Sequence, residues 1–309
     1  MSSINQVRFN QEEKFISSPL NYIGGKYKLL SQLLPLFPKD ISTALDLFCG
    51  GANVGINIQA QSIILNDSLS ELTQVYQALQ NQDLETIFNT IWDIIDAFKL
   101  SNSAKYGYGF YKCDSARGLS SYNKEYFLTL RNHYNKTKNP FVLFVLIIFA
   151  FNNQIRFNSK REFNLPCGKR DFNKNMQEKL RQFILNLQSK NIEISNKDFR
   201  EFPLDILDSK SFVYLDPPYF LATAPYNENN AWGLQDELEL LEFLNILESR
   251  KIRFALSNVI FHKNKEHCIL KDWLRNNPQF KVHFLDFHYK NCNYQTRRAD
   301  SKELLVTNY

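Results

Sequence analysis

The chain has no apolar run long enough to cross a membrane. The longest, Phe141 to Phe151, falls well short of the ~20 residues a spanning helix needs and reads as a buried helix. The opening stretch, Met1 to Lys14, is polar and lacks the apolar centre of a secretory signal, so a soluble, cytoplasmic protein is expected. Cysteine is scarce: Cys49, Cys113, Cys167, Cys268 and Cys292 are odd in number and irregularly spaced, which argues against a disulfide framework and a zinc site. His262, His267 and Cys268 lie close together without a suitably spaced third or fourth ligand, so no metal is expected and they read as surface residues. The dinucleotide fingerprint is missing too. Gly50, Gly51 and Gly55 spell G-G-x-x-x-G rather than G-x-G-x-x-G, which disfavours a pyrophosphate-bearing cofactor. Nor does one sign of charge dominate. The formal net charge of +5 is compatible with a nucleic-acid partner without requiring one.

What the chain does have is unevenly distributed. Between Arg156 and Arg181 stand eight basic residues against three acidic ones, an excess equal to that of all 309 residues. The length allows one large domain or two ordinary ones, and two are expected. Residues 1–80 and 190–309 carry strand and turn signals of an α/β sheet, while 81–189 read as a mainly helical insertion with its own small core.

One stretch organises the rest: Phe212-Val213-Tyr214-Leu215-Asp216-Pro217-Pro218-Tyr219. An apolar run ending at an acid and two prolines predicts a buried parallel strand whose carboxyl end opens into a rigid turn, where open α/β sheets bind ligands. The prolines fix φ and remove two donors, so the turn cannot continue the ladder. Asp216 offers a carboxylate acceptor, the Pro217 carbonyl another, and Tyr219 a face that stacks on a planar ring. Such a set suits an exocyclic amine on a nucleobase. That nitrogen is a poor nucleophile until acceptors bind its hydrogens and favour a pyramidal geometry.

Upstream, Tyr22-Ile23-Gly24-Gly25-Lys26 sets an aromatic ring and a cation around a glycine turn before a helix near Lys28, suited to the zwitterionic end of an amino-acid-bearing cofactor. Thr43 to Gly55, with Asp46, Phe48 and Gly50, reads as a strand, a glycine turn and a helix running to about Gln59. A second strand, Ser62 to Leu65, leads to Asp67, 21 residues after Asp46, the spacing of an acid that holds ribose hydroxyls. Helices are expected over 68–79, 83–99 and 123–134, with a loop at 106–113. Around Asn158-Ser159-Lys160 two short alternating runs predict a hairpin bearing Asn152, Arg156, Asn158, Lys160, Arg161, Asn164, Lys169 and Arg170, side chains that reach base edges and phosphates. A helix from Met176 and a strand at 192–194 then lead to Asp198-Phe199. Residues 221–232 read as a loop that closes over the target base. Arg297 and Arg298 are further phosphate candidates before a final strand at 302–309.

In this order the motifs resemble those of the Dam-like alpha group of site-specific DNA adenine-N6 methyltransferases. The family's aromatic-x-Gly-Gly-Lys, its Asp/Glu-x-Phe-x-Gly loop and its Asp-Pro-Pro-Tyr turn are matched over nearly the whole chain. Its recognition hairpin is matched at Phe151, Asn152, Arg156, Asn158, Phe163, Asn164, Pro166 and Gly168. Asn153 and Arg161 stand where the family usually has glycine.

The resemblance implies a Rossmann-like, S-adenosyl-L-methionine-dependent methyltransferase sheet with an inserted, mainly helical DNA-recognition domain. It implies that Tyr22, Gly24, Gly25, Lys26, Asp46, Phe48, Gly50, Asp67, Asp198, Phe199 and Asp216 serve the cofactor, and that Asp216, Pro217, Pro218 and Tyr219 hold a flipped-out adenine in double-stranded DNA. A monomer acting on DNA follows, often beside a restriction endonuclease of the same site. Cytosine-N4 and RNA adenine remain alternative acceptors, and a silent DNA-binding module is the alternative of another class. Cytosine-C5 chemistry would need a cysteine nucleophile, for which Pro166-Cys167 is the candidate.

Overall fold

A computed structural model describes residues 15–22, 24–222, 232–262, 265–286 and 302–309. Its strands are β1 (Thr43–Asp46), β2 (Ser62–Asn66), β3 (Ile192–Ser195), β4 (Phe212–Leu215), β5 (Arg253–His262), β6 (Lys265–Glu266), β7 (Lys281–Leu285) and β8 (Lys302–Thr307). They form one sheet in the order β3-β2-β1-β4-β5-β8-β7, with β6 on β5. The first five are parallel, and β8 is antiparallel to both its neighbours. This is the mixed α/β, Rossmann-like arrangement expected. The chain runs outward from β1 to β3, then returns to lay β4 on the other side of β1. The crevice therefore opens at the carboxyl ends of β1 and β4, where strand order reverses.

The central strands are apolar because both their faces are covered. Alternate residues supply two cores. Ala44, Ile63, Phe212 and Tyr214 face one cluster, while Leu45, Ile64, Val213 and Leu215 face the other. The second is closed by α8 (Leu234–Ser249) and α9 (Cys268–Asn276) through Leu240, Leu244, Leu247 and Leu270. The first is closed by helices lying between β2 and β3: α2 (Ser70–Gln80), α3 (Leu84–Ala97), α5 (Ser120–Thr137), α6 (Pro140–Phe149) and α7 (Lys174–Ser189), with α4 (Ser103–Phe110) alongside. α6 is buried along nearly its whole length. The small separate core expected for this segment is thus a shared one, since its apolar side chains join one face of the sheet in a single cluster. No described helix is long and apolar enough to cross a membrane.

Several local expectations change. Near Lys28 the helix is a 3-10 turn, Lys26–Leu29, running into the single turn α1 (Leu30–Leu33). The helix expected after Gly55 is only a 3-10 turn, Gly55–Asn57. Asn57 spends its amide on the backbone, accepting from Ile16 N–H (2.9 Å) and donating to Ile16 and Asn53 carbonyls (both 2.8 Å), and the chain leaves extended at Ile58. The loop expected at 106–113 is partly helical. Asn102 caps α4 by accepting from Lys105 N–H (3.0 Å), and Gly107 (φ +73°) breaks the helix. In the 151–170 segment the pairing is limited to two antiparallel bridges, Ala150 with Cys167 and Phe157 with Phe163. Left-handed backbone at Asn152, Asn153 and Arg161 prevents longer strands. Met1 to Lys14, Cys292, Arg297, Arg298 and most of the expected closing loop (223–231) lie outside the described residues.

Candidate active site

Asp46 ends β1 with its carboxylate turned into the protein, 1% exposed. Oδ2 accepts from Gly55 N–H at 2.8 Å, and Oδ1 is buried with no hydrogen-bond partner among the described residues. Burial pushes the group up to about 8 against the pull of the Gly55 N–H, and the nearby Asp216 and Asp67 add to the rise. The glycine loop that follows is shaped for close approach. Gly50 has φ +45°, and a Cβ there would lie 2.9 Å from Tyr22 Cδ1. The Tyr22 ring therefore rests on the loop as only glycine permits.

Lys26 is 3% exposed, a burial that a cation tolerates only when paired. Its Nζ lies 2.9 Å from Asp216 Oδ1, donates to the Gly24 carbonyl at 2.7 Å and sits 4.9 Å from the centre of the Tyr219 ring. Gly24 reaches this position through φ +80°, with Gly25 N–H donating to the Tyr22 carbonyl at 3.1 Å. Asp216 follows β4 directly. Burial raises its carboxyl, while Lys26 and a hydrogen bond from Tyr219 lower it. Pro217 is buried and Pro218 exposed, so the turn is clamped on one side and open on the other.

Asp67 continues from β2. Its carboxylate accepts from Gly50 N–H and Leu69 N–H, both at 2.9 Å, leaving lone pairs for further donors. Desolvation raises this carboxyl as well. Phe48 and Phe199 lie 5.6 Å apart, and Trp232 joins both at 5.8 Å. Asp198 sits at the rim, its carboxylate paired at 3.0 Å with Arg200, which also meets Asp236 and Glu239. The fold thus gathers Tyr22, Lys26, Asp46, Phe48, Gly50, Asp67 and Asp216 at the carboxyl ends of β1, β2 and β4.

The nucleic-acid candidates separate into two kinds. Asn158 builds its own turn, accepting from the N–H groups of Lys160 and Glu162, and Asn164 receives Arg156 Nε at 2.8 Å. Arg161 reaches back to Glu71 on α2, with contacts of 3.1 and 2.6 Å. Lys169 donates to the Ala116 carbonyl at 3.5 Å. Lys160, Lys169 and Arg170 are exposed. Asn152 contributes its carbonyl to Asn21 Nδ2 at 3.0 Å, beside Tyr22.

Some contributors escaped sequence reasoning. Asn66 donates to the Leu47 and Lys197 carbonyls (both 3.0 Å) and accepts from Lys197 N–H (3.0 Å). An Asn just before Asp67 is the only signal. His267, expected at the surface, is 1% exposed. Its Nδ1 accepts from Leu270 N–H (3.2 Å) and its Nε2 lies 2.9 Å from Glu237 Oε1, so capping α9 and pairing with a buried acid draw it inside.

The sequence that builds this site is similar to those of known proteins. The family model described as D12 class N6 adenine-specific DNA methyltransferase matches residues 22–296. Modification methylase StsI of Streptococcus sanguinis is 40% identical over 99% of this chain and 45% of its own length. Type II methyltransferase M.FokI of Planomicrobium okeanokoites is 38% identical over 98% of the chain and 44% of its own. The DNA adenine methylase of Haemophilus influenzae is 25% identical over 77% of the chain and 78% of its own. The chain therefore spans less than half the length of the first two. With the matched region running through every element of the crevice, the chain belongs to the D12 class N6 adenine-specific DNA methyltransferase family.

Proposed function

We propose that this chain transfers a methyl group from S-adenosyl-L-methionine to the N6 amino group of an adenine flipped out of double-stranded DNA. The observation that carries the reading is the pairing of buried Lys26 with half-buried Asp216 beside Tyr219 at the point of strand-order reversal, within a chain of this family. The residues present fit the donor. Asp46 holds a buried oxygen without a partner among the described residues, matched to a cationic group. Asp67 retains lone pairs for ribose hydroxyls, and the half-buried Phe48, backed by Phe199, offers a ring for a purine. When bound, the cofactor supplies an electrophilic methyl on a sulfonium.

The protein's part is positioning. Asp216 and the Pro217 carbonyl accept the hydrogens of the amine and free its lone pair, while Tyr219 stacks on the base. Lys26 opposes the rise that burial gives the Asp216 carboxyl and so favours its ionised form. Direct in-line transfer needs no covalent intermediate, and most of the acceleration comes from orientation. In this reading residues 81–189 form the target-recognition part, with Asn152, Arg156, Lys160, Lys169 and Arg170 meeting DNA. A monomer serves as the modification half of a restriction–modification pair. The test is incubation of the purified chain with labelled donor and genomic duplex, followed by nucleoside analysis. N6-methyladenine is expected from the chain and not from Asp216→Ala. Label in N4-methylcytosine, or in RNA alone, would overturn it.

A further inference from the structure

Arg161 occupies left-handed backbone, φ +56°, which is unfavourable for any residue with a Cβ. The turn does not need its side chain. Asn158 N–H donates to the Glu162 carbonyl and Arg161 N–H to the Asn158 carbonyl, both at 2.9 Å. The guanidinium instead leaves the turn for α2. Nε lies 3.1 Å from Glu71 Oε1, Nη2 2.6 Å from Glu71 Oε2 and 3.1 Å from Ser70 Oγ, a two-point charge-assisted contact. Glu71 is four residues past Asp67, whose carboxylate holds Gly50 N–H.

A second tie joins the same two regions. Asn21 donates from Nδ2 to the Asn152 carbonyl (3.0 Å) and from its N–H to the Asn153 carbonyl (3.3 Å), and the next residue is Tyr22, resting on Gly50. The 151–170 loop is thus fastened at its start and at its turn to the elements around Asp67 and Gly50.

Building on the function proposed above, we infer that Arg161 is a positioning residue: its pair with Glu71 couples the DNA-facing loop to the cofactor-facing loop, so that occupancy of one raises affinity at the other. Coupling of this kind is reciprocal. Arg161 then reads neither a base nor a phosphate, although it lies in the most basic part of the chain.

The test uses the full chain and Arg161→Gly, which relieves the left-handed strain while deleting the pair, so the variant is expected to melt no lower than the parent. Binding of S-adenosylhomocysteine is titrated with and without saturating genomic duplex. The parent should bind it about fivefold tighter or more with DNA present. Arg161→Gly and Glu71→Gln should match the parent without DNA and lose the enhancement, and Arg161→Lys should restore part of it. Retained enhancement in Arg161→Gly would overturn the inference. So would a salt dependence of DNA binding reduced by about one phosphate contact with the enhancement intact, which would make Arg161 a phosphate contact. A parent with no enhancement overturns the coupling and leaves the functional reading standing; a parent that binds no cofactor overturns both.

Discussion

Lys26 Nζ lies 2.9 Å from Asp216 Oδ1, and this pair sets the lower pH limit of the proposed reaction. Asp216 accepts the amine's hydrogens only as a carboxylate. Burial raises its pKa and Lys26 opposes the rise, so activity falls as pH is lowered through the raised value. Lys26→Met removes the opposing charge. The acid limb of the pH–rate profile should then move to higher pH, lowering the rate on that limb about tenfold for each unit moved. An unmoved limb would refute the role given to Lys26.

Asp46 carries the opposite sign of dependence into stability. Its folded-state value of about 8 means that the folded chain keeps a proton which the unfolded chain releases in the usual carboxylate range. Stability should therefore decline as pH rises toward 8, by at most about 1.4 kcal/mol per unit, and level off above it. Asp46→Asn should flatten that decline in denaturant titrations. Cofactor binding should also release a proton, since a cation beside Asp46 favours its charged form.

The glycine loop leaves no room for a methyl group. A Cβ at Gly55 would sit 2.3 Å from Leu65 Cδ2 and 2.8 Å from Asp46 Oδ2, so Gly55→Ala should destabilise by about 1–3 kcal/mol. Gly50→Ala would push the Tyr22 ring aside. It should weaken cofactor binding about tenfold, or ~1.4 kcal/mol, with a smaller change in melting temperature.

Glu237 is a buried acid outside the crevice, receiving Trp232 Nε1–H at 2.7 Å and facing His267 Nε2 at 2.9 Å. Glu237→Ala removes the acceptor of the half-buried Trp232 Nε1–H and the group facing buried His267 Nε2, and should destabilise by about 1–3 kcal/mol. Glu237→Gln should lose less. Because Trp232 packs on Phe48 and Phe199, the alanine variant should also bind cofactor more weakly.

Cys167 decides between amine and ring-carbon chemistry. Burial pushes its thiol up to about 12, so thiolate is scarce at neutral pH. Cys167→Ser should leave methyl transfer within about twofold of the parent. Loss of transfer with fold and DNA binding retained would revive a covalent cytosine-C5 route.

The strand-and-turn motifs were legible in the sequence because their meaning is local. An apolar run stopped by Asp216-Pro217-Pro218 leaves few backbone choices, and an acid after β2 falls at a set distance from Asp46. What escaped depends on long-range contact. Arg161 looks like a DNA ligand by composition, yet Glu71, 90 residues away, claims it. His267 beside an exposed Cys268 gave no sign of the buried Glu237 that draws it inward. Asn57 ended a helix through hydrogen bonds to Ile16, a partner 41 residues distant.

Asn66 has a wider reach than its size suggests. Parallel strands diverge past their last rungs, and here one amide spans the gap, holding Leu47 on one flank and Lys197 on the other. The segments that follow β1 and β3 are thereby tied together across β2 by a neutral side chain. Asp at this position would keep the shape, lose both donors and set a fourth carboxyl group beside Asp46, Asp67 and Asp216. The ties to Leu47 and Lys197 would be lost together from one atom's replacement.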